Sequence, residues 1–359
     1  MTYVNKLFLV SIAVGLVIAS KIVDNAKPKV LITNSYVPNI AADLLKECVT
    51  NCIISLHLFI IFSCETITIQ NETKEEILSH IRGVSALLWA THIGLDNELL
   101  DAAGPQLKML GLMSAGYNHI DVAEIKKRGI KISNTPKVLN AAVADTAVLL
   151  ALAASRRLRE GRVLIESGRW NPSDWLLGQD IAGSTVGIIG LGGIGSAIAR
   201  RLLAFEVKQI LYTGHREKPE GKELDAKFVP LNESDSLIKE SDFIFVSVPL
   251  TNETEGMCND EFFSKMKKTA VFVNTSRGQV VDQKALVKAL KGGQIFAAGL
   301  DVMTPEPLPV NDELLTLPNV VLLPHWGSAT VKTREAMAKL TAENIIKGLK
   351  GEPLITPIP

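Results

Sequence analysis

The chain has 359 residues, 47% of them hydrophobic, which is enough for two domains each burying its own core. Its 38 Lys and Arg balance 38 Asp and Glu, so no broad basic face exists to neutralise a phosphate backbone, and nucleic acid is disfavoured as a partner. Four cysteines are too few for a stapled secreted scaffold of this length.

The first feature along the chain is "LFLVSIAVGLVIA", residues 7–19, an uncharged run between Lys6 and Lys21. It has the length of a signal-peptide h-region and is short for a membrane span. The other reading of residues 1–26 is an incorrect first exon or a weak anchor on a cytosolic enzyme. No second Met precedes Met109, so no simple downstream start can be proposed.

From residue 28 short apolar runs alternate with amphipathic segments. "PKVLITN" (28–34), "VSALLWA" (84–90), "LKMLGLM" (107–113) and "IKISN" (130–134) have the pattern of parallel strands separated by helices. An apolar run, "VTNCIISLHLFIIFSC" (49–64), interrupts them between the helix-like "NIAADLLKEC" and the strand-like "ETITIQ". It reads as a buried helix or strand, or as a retained intron: Val49 has a GT-initial codon, and Phe, Ile, Ser and Cys near the end suit a pyrimidine-rich tract. A mature message that always contains the run would end the intron reading. A metal site built from Cys48, Cys52, His57 and Cys64 is disfavoured, because the intervening residues are apolar and no paired C-x-x-C exists; no metal is expected.

The helix-like "LNAAVADTAVLLALAASRRLREG" leads into a second series of strands. These are "TVGIIG" (185–190), "QILYTG" (209–214), "KFVPL" (227–231), "FIFVSVPL" (243–250), "AVFVNTS" (270–276), "FAAGLDV" (296–302) and "VVLLPH" (320–325). Seven such strands predict a complete doubly wound sheet, and the last helix-like run, "REAMAKLTAENIIKGLKG", is expected to return to the first domain.

"TVGIIGLGGIGSAIARRLLAF" places Gly190, Gly192 and Gly195 in a GxGxxG between an apolar strand and an amphipathic helix. The first glycine permits a tight turn, the second lets backbone approach a pyrophosphate, and the third lets helix lie on strand. Amides at the helix start then face the phosphates. Where an NAD enzyme carries Asp or Glu after the second strand, this chain has "YTGHREK". Gly214 leaves room for a 2'-phosphate, and His215, Arg216 and Lys218 can supply charge to it, so NADPH is expected over NADH. The plainer reading is a solvated basic turn.

Three strand ends each deliver one functional group: Arg277 after "VFVNTS", Glu306 in "GLDVMTPEPLP" and His325 in "LLPHWGSAT". With a 2-keto acid as substrate, Arg277 can pair with the carboxylate and polarise the ketone. His325 can protonate the oxygen as hydride arrives, and Glu306 can keep His325 protonated. Singly each has a plain reading, as a surface charge, a turn residue and a loop acid. The letters "NTS" also form a glycosylation sequon at Asn274, joined by Asn71 and Asn252. A glycan beside a catalytic Arg277 would block it, which favours the cytosol over the secretory pathway.

With "SAGYNHIDVAEIKKRGI", "NTSRGQVVD", "AAGLDVMTPEPLP" and "LPHWGSAT" in this order, the sequence resembles the D-isomer-specific 2-hydroxyacid dehydrogenases, within them the glyoxylate and hydroxypyruvate reductases, over residues 28–359 apart from 49–64. The resemblance implies an α/β chain of two doubly wound parallel-sheet domains. One is a flavodoxin-like substrate domain (28–133 and 326–359) and the other a Rossmann NAD(P)-binding domain (134–325), with hinge closure and a homodimer. It implies Arg277 as substrate anchor, Glu306 and His325 as the acid pair, and the backbone of Ala115 and Gly116, with Ser328, near the substrate. Gly193 and Ile194 would join the glycine loop, Pro249 and Thr275 would lie along the cofactor, and Asp301 and Gly327 near the nicotinamide.

The chain departs from that pattern in several places. Gly193 stands where the reductases usually carry Arg, Asn118 replaces an acid, Trp326 takes a position usually given to Ile or Val, and "NPSD" between Trp170 and Trp175 looks shortened. Two other functions stay open. A phosphoglycerate-type dehydrogenase is disfavoured because the chain stops soon after the return helix. A dinucleotide-sensing corepressor-like regulator is disfavoured by the lack of long disordered flanks.

Overall fold

The computed structural model describes residues 27–46 and 63–359. The runs 7–19 and 49–62, and with them Cys48, Cys52 and His57, lie outside the described residues. Cys64, counted from sequence with the interrupting run, belongs to the core: it is 3% exposed and its N–H donates to the Leu45 carbonyl at 2.8 Å.

The described chain forms two compact units, one of residues up to Asn134 together with Ala338–Pro359, the other Thr135–Met337. The first holds five parallel strands, β1 (Lys29–Ile32), β2 (Glu65–Thr68), β3 (Ala86–Trp89), β4 (Met109–Leu112) and β5 (Lys131–Ser133), in the order β2-β1-β3-β4-β5. β3 and β4 are buried at every position, as strands covered on both faces must be. The helices between them start at side-chain caps: Thr73 accepts from Glu76, Asp96 from Leu99 and Asp121 from Glu124.

The C-terminal residues join this unit through close packing. A Cβ on Gly111 of β4 would lie 2.8 Å from Thr341 Cγ2, and one on Gly348 would lie 2.5 Å from Met109 Sδ. Glycine at both positions lets the last helix sit close on the sheet. The division between units falls inside that helix, Val331–Leu349, at Met337, whereas the sequence places it at 325/326.

The second unit holds seven parallel strands: β6 (Thr185–Ile189), β7 (Gln209–Gly214), β8 (Ala226–Pro230), β9 (Phe243–Val246), β10 (Val271–Asn274), β11 (Ala297–Leu300) and β12 (Val320–Leu322). Their order, β12-β11-β10-β9-β6-β7-β8, reverses between β6 and β9. Ligands of such sheets bind outside the carboxyl ends of the strands at this reversal. Helix Asn140–Ser155 is largely apolar and lies over β10 to β12; a Cβ on Gly299 of β11 would lie 2.8 Å from Leu150 Cβ. Both units are therefore doubly wound α/β sheets. Among the described residues no helix is long and apolar enough to cross a membrane.

Candidate active site

The glycine loop joins β6 to helix Gly193–Leu202. Gly190 has φ +95°, and a Cβ there would lie 2.7 Å from the Ser247 carbonyl oxygen, so this turn requires glycine on both counts. A Cβ on Gly195 would lie 2.1 Å from the Gly190 carbonyl oxygen, which makes it the close-packing glycine of helix on strand. Gly192, the N-cap, faces open space, with nothing within 4 Å of a built Cβ. Tight turn, close packing and an open face before unpaired helix amides are what a pyrophosphate needs, so this loop fits a dinucleotide. Ile194 packs its side chain against the core, leaving only its backbone to the loop.

At the end of β7, Gly214 also faces open space. It lines a hollow of about 630 Å³ with His215, Arg216, Phe228, Pro230 and Asn232. No carboxylate stands at the strand end itself; His215 Nε2 lies 3.7 Å from Glu253, both side chains being exposed. Lys218 is not part of the hollow's lining; its N–H donates to Tyr212 Oη at 2.9 Å and it caps the next short helix. Pro249, after β9, is exposed, and its carbonyl accepts from Thr254 Oγ1 at 2.6 Å.

The acid pair stands at the ends of β11 and β12. His325 Nδ1 is 2.9 Å from Glu306 Oε2, and both side chains are half-buried. An ionised carboxylate only accepts, so Nδ1 carries the proton of that bond. Glu306 Oε1 accepts the Met303 N–H at 3.0 Å, which fixes the carboxylate from its other oxygen.

His325 itself is left-handed, φ +55°, and its N–H donates to the Asp301 carbonyl at 2.8 Å. Asp301, 1% exposed, holds the following turn with its carboxylate, Oδ1 accepting from Trp326 N at 2.7 Å and Oδ2 from Gly327 N at 2.8 Å. Burial pushes the Asp301 carboxyl up from its ordinary range, and the two amides work against that shift. Gly327 is constrained in turn: a Cβ would lie 2.9 Å from Asp301 Oδ2. Ser328 follows, half-buried, with its carbonyl accepting from Thr330 N.

Arg277 extends from the end of β10 in extended backbone, φ −141° and ψ 145°. Burial lowers its pKa from the ordinary guanidinium value and the nearby Glu306 opposes this; a guanidinium stays charged in either case. The turn that aims it is tied by Asn274. Its Nδ2 donates to the Arg277 carbonyl at 2.9 Å, while its Oδ1 accepts from Ser276 N at 3.0 Å and Ser276 Oγ at 2.7 Å. Asn274 is 1% exposed, so the sequon nitrogen is both hidden and engaged in the folded chain. Thr275 is buried beside it at 8% exposed.

In the first unit, the loop after β4 carries Ala115 and Gly116. The Ala115 carbonyl accepts from Asn134 Nδ2 at 2.7 Å and the Gly116 carbonyl from Ser114 Oγ at 2.8 Å. Their own N–H groups have no hydrogen bond among the described residues, which leaves two adjacent donors at a strand end, suited to an anion.

Three residues that carry this geometry were not singled out from sequence for it. Asn274 appears there only as a sequon, Asp301 only as a neighbour of nicotinamide, and Gly278 not at all. A Cβ on Gly278 would lie 1.9 Å from the Met303 carbonyl oxygen, so this glycine sets the spacing between the Arg277 turn and the loop holding Glu306. The signal available was the RG dipeptide at the strand end; its partner is 25 residues away in the chain.

Comparison with known proteins gives the same direction as the geometry. The pattern of the D-isomer specific 2-hydroxyacid dehydrogenase NAD binding domain matches residues 148–327. A Mus musculus protein named glyoxylate reductase/hydroxypyruvate reductase is 49% identical over 284 residues, 78% of this chain and 86% of that one. A Thermococcus kodakarensis glyoxylate reductase is 45% identical over 334 residues, 91% of this chain and 94% of that one. Among solved structures, an NADPH-dependent glyoxylate/hydroxypyruvate reductase from Sinorhizobium meliloti, in complex with NADP and malonate, is similar with a TM-score of 0.78. It is 33% identical, and the match covers 93% of this chain and 97% of that one. The chain belongs to the D-isomer specific 2-hydroxyacid dehydrogenase family.

Proposed function

We propose that this protein reduces small 2-keto acids, glyoxylate to glycolate and hydroxypyruvate to D-glycerate, and that it prefers NADPH to NADH. The observation that carries the reading is the 2.9 Å Glu306–His325 pair, set on the same carboxyl edge of the parallel sheet as Arg277 and the glycine loop. A bound nicotinamide supplies the hydride that goes to the ketone carbon. Arg277 pairs with the substrate carboxylate and draws electron density toward the ketone oxygen. His325, held through Nδ1 by Glu306, gives a proton to that oxygen. Thr275, Pro249, Asp301, Gly327 and Ser328 shape the nicotinamide and substrate ends.

The preference for NADPH rests on the open face of Gly214 and the hollow with His215 and Arg216, where a ribose-binding carboxylate would otherwise stand. Lys218 adds charge nearby. The purified full-length chain should oxidise NADPH with hydroxypyruvate and with glyoxylate, faster at low cofactor concentration than NADH, and Arg277→Ala should abolish saturation by either keto acid. Tight NADPH binding without turnover of either acid would replace this reading by a dinucleotide-sensing regulator. The engaged Asn274 sequon supports a cytosolic location.

The same reading includes a homodimer. Helix Leu158–Glu166 buries none of its residues, yet Leu158, Val163 and Ile165 are 60%, 50% and 58% exposed, and Trp170 and Trp175 follow at 73% and 67%. Leu158 and Ile165, seven residues apart, fall on one side of the helix, where a second copy of the chain would cover them. Leu158→Asp combined with Ile165→Asp should convert a dimer to a monomer in sedimentation velocity; an unchanged sedimentation coefficient would remove this face from the interface.

A further inference from the structure

At Gly193, the first helical residue of the glycine loop, a side chain would meet a neighbour, and the neighbour differs in kind from those at Gly190 and Gly195. At those positions backbone atoms stand in the way. At Gly193 a built Cβ lies 2.3 Å from Asn140 Nδ2, 3.1 Å from its Cγ and 3.3 Å from its Oδ1. The volume a side chain at 193 would take is filled by a carboxamide from another helix.

The helix turn that carries this carboxamide is held from two sides. The Asn140 N–H donates to the Lys137 carbonyl at 3.0 Å, in a turn where Lys137 is left-handed at φ +71°. Arg201, on the glycine-loop helix, donates from Nη2 to the Ala141 carbonyl at 3.0 Å and pairs through Nε with Asp145 at 2.6 Å, so the first turn of helix Asn140–Ser155 is clamped to the loop's helix. The Asn140 carboxamide is half-buried, and among the described residues it has no hydrogen-bond partner of its own. Its donors are therefore open to solvent or to a ligand at the mouth of the glycine loop.

We infer that Asn140 Nδ2 donates a hydrogen bond to the pyrophosphate of the bound dinucleotide, supplying from the neighbouring helix the donor that Gly193 lacks. The inference rests on the dinucleotide reading of the glycine loop. Pyrophosphate is common to NADPH and NADH, so Asn140 sets affinity for both and discriminates between neither.

The test is equilibrium titration of the full chain with NADPH and with NADH, followed by nucleotide fluorescence, together with the melting temperature of the cofactor-free protein. Asn140→Ala should weaken both dinucleotides in parallel by about 10- to 100-fold, the range of a hydrogen bond to a charged group, and the nearly isosteric Asn140→Asp by at least as much. Cofactor-free melting temperatures should stay unchanged. Asn140→Ala empties the space at 193, so adding Gly193→Arg should restore binding of both dinucleotides. The inference is overturned if the single variants bind both as the wild type does. It is equally overturned if binding falls only together with the melting temperature and Gly193→Arg rescues nothing, which would make Asn140 a structural prop. A wild-type chain that binds neither dinucleotide would remove the glycine-loop reading and this inference together, whereas wild-type binding with indifferent variants removes this inference alone.

Discussion

His325→Ala should lower kcat for hydroxypyruvate reduction by roughly 10²- to 10⁴-fold, the usual contribution of a positioned general acid, while NADPH affinity stays as it is. The size of the effect follows from how firmly the imidazole is set. Its backbone is held left-handed by the Asp301 carbonyl, the turn after it by the Asp301 carboxylate, and its ring by Glu306, which is itself fixed by Met303 N. Water replacing the ring has none of these restraints. Glu306→Gln separates position from charge: the amide oxygen can still accept from Met303 N, while the carboxylate beside the ring is gone. Reduction should slow by at least about tenfold. Initial rates with saturating NADPH measure both variants. If both variants stay within about threefold of wild type, His325 is not the acid.

Much of this was legible in the residues. Every strand of the second sheet was expected within a few positions, because strands of a parallel sheet are short, apolar runs separated by amphipathic helices. Gly190, Gly192 and Gly195 were readable because the flanking strand and helix give the spacing its meaning. Two kinds of information were not in the local pattern. The division inside Val331–Leu349 falls in an unbroken helix, where no proline, glycine or polar cluster marks it. Functions that act across distance along the chain, such as Asn140 filling the volume at Gly193 or Asp301 gathering three backbone groups of 325–327, need the partner's position to be recognised. Lys218 has a role its charge did not signal: its backbone N–H donates to Tyr212 Oη and it caps the next short helix.

Gly278→Ala should remove most activity without touching a group that reacts. The glycine adopts ordinary backbone, so alanine brings no conformational strain, only contact. Its Cβ would lie 1.9 Å from the Met303 carbonyl oxygen, 2.2 Å from the Met303 carbonyl carbon and 2.5 Å from Thr304 Oγ1. The first two are backbone atoms, which cannot rotate away, so the turn bearing Arg277 and the loop from 303 to 306 must separate by about 1 Å or more. Arg277 moves with one side and Glu306, held by Met303 N, with the other. A displacement of that size costs on the order of 10²-fold in rate, and the overpacking about 1–3 kcal/mol of stability. NADPH affinity should change little, since Gly190, Gly192 and Gly195 follow β6 rather than β10 or β11. Measured together, a kcat/KM near wild type would show that the spacing of these two loops is not what aligns anchor and acid. Loss of kcat/KM with unchanged NADPH affinity would show that it is, and that a residue with no side chain governs the distance between two residues whose side chains do the chemistry.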